Sequence, residues 1–119
     1  MKDRDKIIKI AEFYGASHQH KKLIEELGEL SRAVNELERW WDKTVETGDR
    51  ERIKTQYYRK LLNHVAEEMA DVRIMIDQIE YLARLEDETA KQREFKLDRQ
   101  LKRIAKEEEE YEEERMWGF

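Results

Sequence analysis

Proline is absent from this chain and glycine occurs only four times in 119 residues, so little in the sequence can interrupt a helix. Glu, Lys, Arg and Leu dominate, 45% of residues are charged, and the apolar residues recur at helical spacing. The expectation is an all-α protein, an antiparallel bundle of about four helices with no sheet. So small a bundle with a heptad seam and many aromatics is expected to hide its apolar surface in a homodimer or homotetramer.

The punctuation is sparse but readable. A first helix is expected over residues 3–14, with Ile7, Ile10, Ala11 and Tyr14 on one face and Gly15 as its stop. Ser17 reads as the N-cap of a second helix running from His18 to Trp41 or beyond. Residues 44–49 give the clearest loop signal, with Asp49 as a cap, before a third helix over 50–85. After a weak break at 86–89, a fourth helix is expected from Glu88 to about Arg115, with Ala90, Glu94, Leu97, Leu101 and Ile104 on one seam. One domain over 1–105 and a charged helix end or tail over 106–119 follow, the tail including the unusual terminal aromatics Trp117 and Phe119.

Two acidic clusters lie within these apolar patterns, Glu25-Glu26-Leu27-Gly28-Glu29 and Glu67-Glu68-Met69-Ala70-Asp71. Side chains three apart on a helix are neighbours, so each cluster can aim two carboxylates at one point. On the second helix the apolar stripe is Leu23, Leu27, Leu30, Val34, Leu37 and Trp41; on the third it is Leu62, Val65, Met69, Val72, Ile76 and Ile79. Glu26 and Glu68 fall roughly 60° from the centres of these stripes, and Glu29 and Asp71 roughly 120°, in the same rotational sense. If both stripes face one core, the four acids line its rim, an outline that fits a hard divalent cation such as Mg²⁺. With 29 acidic residues the motif alone is weak, and the stretch 107–114 contains it too; the two clusters differ by being interleaved with Leu, Val, Met and Ile. An ordinary charged bundle with solvated acids is the competing reading.

Gln19 and Lys22 precede Glu26 and Glu29 on nearly the same side, which suits a polyphosphate, although Lys22 also reads as a surface partner of Glu26. His64 is one turn before Glu68, whereas His18 and His20 point apart. Trp40, Trp41, Tyr57 and Tyr58 are available to stack a base or to fill a core. The sequence offers no nucleophile with a base and no glycine-rich phosphate loop, which leaves metal-assisted attack by water as the accessible chemistry.

Composition excludes other classes. A net charge of −5 and a pI near 5.4 argue against general binding of nucleic acid. The absence of cysteine removes disulfides, zinc thiolates and thiol catalysis and suits a reducing cytoplasm. No apolar run is long enough to suggest a signal peptide or a membrane span.

The run His18-Gln19-His20-Lys21-Lys22-Leu23-Ile24-Glu25-Glu26-Leu27-Gly28-Glu29-Leu30, followed by Glu67-Glu68-Met69-Ala70-Asp71-Val72, resembles the paired motifs of the MazG-like all-α nucleoside triphosphate pyrophosphohydrolases. The resemblance covers roughly residues 10–100. It implies a hydrolase of nucleotide metabolism, dependent on Mg²⁺ or Mn²⁺, that cleaves a nucleoside triphosphate between its α and β phosphates. By that likeness Glu26, Glu29, Glu68 and Asp71 hold the metal, and Glu25 matches the leading acid of the motif as a candidate to activate water. Lys91, Arg93, Lys96 and Arg99 are loose matches to basic residues that meet phosphates. One departure is that Glu29 and Glu68 are 39 residues apart, longer than compact members of the group show; the extra length falls within residues 38–60. The alternatives are phosphoribosyl-ATP pyrophosphohydrolase, similar in motif and chemistry, and a non-enzymatic helical interaction module.

Overall fold

A computed structural model of the chain describes residues 1–118; Phe119 lies outside them. The described residues form four α-helices and one 3₁₀ turn, with no strand among them. Two compact units divide the chain, Met1–Arg84 and a second from Leu85 onward.

In the first unit α1 (Asp3–Tyr14) begins with Asp3 and Asp5 at the positive end of its dipole. It ends at Gly15, whose N–H donates to the Ala11 carbonyl and whose φ of 81° and ψ of 167° suit only glycine. The same residue opens α2 (Ala16–Thr47), so Ser17 is not the cap but part of the first turn, and no side chain caps that end. The helix runs further than the loop signal at 44–49 suggested. Thr44 is buried within it, and Gly48, at φ 68°, stops it with an N–H bond to the Thr44 carbonyl. The expected long third helix is broken in two. Asp49 accepts from the Glu51 N–H to start a 3₁₀ turn, Arg50–Lys54, and the Thr55 hydroxyl accepts from the Tyr58 N–H to cap α3, Gln56–Ala83.

Helices α2 and α3 are antiparallel. Their cross-pairs Gln19 with Gln78, Glu26 with Asp71, and Trp40 with Tyr57 keep one register, every residue gained on α2 being a residue lost on α3. The contact line is a strict alternation of three and four. On α2 it reads Gln19, Leu23, Glu26, Leu30, Ala33, Leu37, Trp40 and Thr44; on α3 it reads Tyr58, Leu61, Val65, Glu68, Val72, Met75 and Ile79, all buried or half-buried. This seam is rotated from the apolar stripes expected from the sequence. Leu27, Val34 and Trp41 on α2, with Met69 and Ile76 on α3, are instead exposed. Helical geometry gathers them on one side of the pair, because equal offsets on antiparallel helices fall on the same side. The small residues Ala33 and Thr44 occupy the line of approach, which moves Glu26 and Glu68 from the expected rim into the seam. Helix α1 packs on this pair with Ala11 buried, and Tyr81 donates a 2.7 Å hydrogen bond to Glu12.

The second unit is α4, Glu86–Met116, which starts on Glu86, Asp87 and Glu88 and continues unbroken past residue 106. None of its residues is buried.

Candidate metal centre

Glu26 stands near the middle of α2 with only 7% of its surface exposed, at a contact position that a bundle of this type ordinarily gives to Leu or Ala. Its Oε1 lies 3.3 Å from the Lys22 ammonium one turn earlier, while its Oε2 is buried and has no hydrogen-bond partner among the described residues. Across the seam Glu68 repeats the arrangement. Its Oε1 is 3.7 Å from His64 Nε2, and its Oε2 is likewise buried and unpartnered. Carboxylate oxygens of Glu26, Glu68 and the exposed Asp71 all lie within 4.8 Å of one another. Two buried acceptors without donors among three acids so close together are costly unless a cation binds or a proton is retained.

The Glu68 carboxyl accordingly titrates above the usual carboxylate range. Burial is the largest cause, followed by the charges of Glu29, Asp71 and Glu26, with His64 opposing. The Lys22 ammonium is held above its ordinary range, first by its hydrogen bond to Glu26 and then by the charge of Glu25. The donor set is all oxygen, the preference of a hard divalent cation, and the orphaned oxygens show that the residues fit one.

The four acids read from the sequence therefore divide. Glu26, Glu68 and Asp71 converge; Glu29 is half-buried and close enough to act on the Glu68 carboxyl electrostatically, but stands outside the cluster of three. Glu25 is exposed and lies 3.4 Å from Lys22. Gln19 is buried and used internally, its amide donating to Gln78 Oε1 at 2.6 Å while its own oxygen meets His18 Nδ1 at 2.7 Å. Lys91, Arg93, Lys96 and Arg99 are exposed residues of α4, in the second unit. Trp40 is tied into the fold, with the Arg52 guanidinium 3.7 Å from its ring centroid, Tyr57 at 4.7 Å and its Nε1 donating to the Arg52 carbonyl. These side chains, with Glu36, Arg39 and Lys43, line an open hollow of about 500 Å³. Trp41 is exposed and Tyr58 half-buried.

Sequence reasoning missed Gln78 and Arg52. The signal for Gln78 was available: it is an amide three residues after Met75 on an otherwise apolar side of α3. Comparisons with protein-family models, with curated proteins and with solved structures find no match.

Proposed function

We propose that the chain is a nucleoside triphosphate pyrophosphohydrolase that works with Mg²⁺, or Mn²⁺ in its place, held by Glu26, Glu68 and Asp71 with Glu29 beside them. The observation that carries this reading is the pair of buried, unpartnered carboxylate oxygens at the centre of the helix seam. The order and spacing of the two acidic motifs, which resemble those of the MazG-like group, support the choice of reaction. A structural acid on a surface gains nothing from such burial, whereas a ligand gains a dry, fixed position.

In the proposed reaction water adds to the α-phosphorus, the bond to the α–β bridging oxygen breaks, and pyrophosphate leaves. The cation, when bound, supplies charge neutralisation for the phosphates and acidifies a bound water. Glu26 and Glu68 hold the deep side of the site, and Asp71, being exposed, borders the side open to a ligand. By the likeness to the MazG-like motif, Glu25, exposed and 3.4 Å from Lys22, is assigned to take the proton of the attacking water. Lys22, one turn before Glu26, contributes positive charge on the approach of the polyphosphate. Cleavage of a small soluble nucleotide suits a cytoplasmic setting. No helix of the described residues is long and apolar enough to cross a membrane. The exposed row of Leu27, Val34, Trp41, Met69 and Ile76 favours a homodimer or homotetramer.

The reading is tested by assaying pyrophosphate release from a panel of nucleoside triphosphates, and from phosphoribosyl-ATP, with Mg²⁺ and with EDTA. Metal-dependent release of pyrophosphate is expected; its absence from every substrate returns the chain to the class of helical interaction modules.

A further inference from the structure

We propose that α4 is a self-recognition helix, two copies of the chain pairing their α4 helices antiparallel so that the acidic end of each lies along Lys91, Arg93 and Lys96 of the other. The proposal rests on α4 alone and is independent of the hydrolase reading.

The helix is 31 residues long and buries none of them, yet it carries a continuous heptad seam of Ala90, Glu94, Leu97, Leu101, Ile104, Glu108 and Tyr111. Leu97, Leu101 and Ile104 are 48%, 64% and 50% exposed, an apolar line that requires a cover. Opposite charges stand four residues apart in Asp87 with Lys91, Asp98 with Lys102, Arg103 with Glu107 and Lys106 with Glu110, but like charges take that spacing more often, in Glu94 with Asp98, Arg99 with Arg103, Lys102 with Lys106, Glu108 with Glu112, Glu109 with Glu113 and Glu110 with Glu114. Segregation of charge weakens the isolated helix and is relieved by opposite charge from outside it. Each copy carries both signs, with Lys91, Arg93 and Lys96 near the start and seven glutamates over residues 107–114, so a second copy is a sufficient partner under two-fold symmetry.

Direction and register follow from the seam. Parallel pairing stacks Glu94 on Glu94 and Glu108 on Glu108 in the centre and lays the glutamate block along its own copy. Antiparallel pairing with residue 101 opposite 104 sets Glu94 beside Tyr111, whose hydroxyl can donate to it, and Leu97 beside the stem of Glu108. The flanking positions then bring Lys91 to Glu112 and Arg93 to Glu114, twice each by symmetry, and oppose no like charges there. A slip of one heptad toward the carboxy terminus puts Glu107 against Glu107 and Asp98 against Glu112. A slip the other way puts Asp98 on Asp98. Charge therefore selects one register out of the three.

The chain has no cysteine, so the pairing can be read directly in the full-length protein. Glu94→Cys mixed with Tyr111→Cys is expected to form a mixed disulfide under mild oxidation, at a rate at least tenfold above either variant alone. Adding Lys91→Glu with Arg93→Glu to both chains, or Glu112→Lys with Glu114→Lys to both, is expected to slow it about tenfold or more. Exchanging all four charges together restores it, and circular dichroism checks that each variant stays helical. A mixed disulfide no faster than that of Glu94→Cys alone, or one indifferent to the charge exchanges, overturns the proposal.

Discussion

Glu26 and Glu68 are related by an approximate two-fold axis running between α2 and α3. Each has a basic side chain one turn before it, Lys22 or His64, and a second acid three residues after it, Glu29 or Asp71. Each directs Oε1 toward its own helix's base and buries Oε2 without a donor. The bases lie beside one oxygen of each pair and leave the other two without a partner among the described residues.

If a cation binds between these two oxygens, as proposed, the fold is expected to be sensitive to metal. Millimolar Mg²⁺ or Mn²⁺ is expected to raise the melting temperature by several degrees, because a site of useful affinity exists only in the native state. Glu26→Gln removes one of the converging charges and is expected to shrink the gain to near zero. Differential scanning fluorimetry with and without EDTA checks this, and equal melting temperatures for wild type in both conditions contradict a cation site.

The same repulsion gives the metal-free protein an unusual pH response. The Glu68 carboxyl titrates higher in the folded than in the unfolded chain, so over the interval between those two positions the native state binds more protons. Stability attributable to this group therefore rises as pH falls toward the ordinary carboxylate range, and is lowest where Glu68 is fully ionised. Melts in EDTA across that interval are expected to show a rise that Glu68→Gln flattens; a wild type that responds no differently from that variant would refute the assignment.

Helical content and the acidic pairs were legible because both rest on local rules, the scarcity of breakers and the spacing of residues on a helix. Which face becomes the core was not local. A wheel assigns the apolar residues inward, but α2 and α3 approach along Ala33 and Thr44 and bury the Gln19–Gln78 pair, leaving Leu27, Val34 and Met69 outside. The same rotation carries Glu26 and Glu68 from the rim into the seam and leaves Glu29 beside the three converging acids. The end of α2 was misread because Thr44 and Thr47 resemble a turn in sequence, yet both hydroxyls bond back to carbonyls of their own helix.

The buried amide pair makes a separate claim. Gln19 and Gln78 are 3% and 1% exposed, and the Gln19 amide nitrogen donates to the Gln78 oxygen at 2.6 Å. Gln78→Leu leaves the Gln19 amide without its acceptor and is expected to cost about 1–3 kcal/mol. Removing both amides together, Gln19→Leu with Gln78→Leu, should cost less than the two single changes added. Urea unfolding of the four proteins measures the coupling, and strict additivity would show that the bond carries no weight.

Placement in the seam rather than charge as such is what should distinguish catalytic acids from the rest. Glu68→Gln keeps the shape of the side chain but removes one converging ligand, and is expected to lower metal-dependent pyrophosphate release by about a hundredfold or more. Helix content should be unchanged, since Gln suits a helix as well as Glu does. Glu110→Gln alters an exposed acid of α4 and is expected to leave the rate unaltered. Comparing the two variants at saturating Mg²⁺ decides whether position matters: equal rates would mean that the buried acids are structural and that the hydrolase reading is wrong.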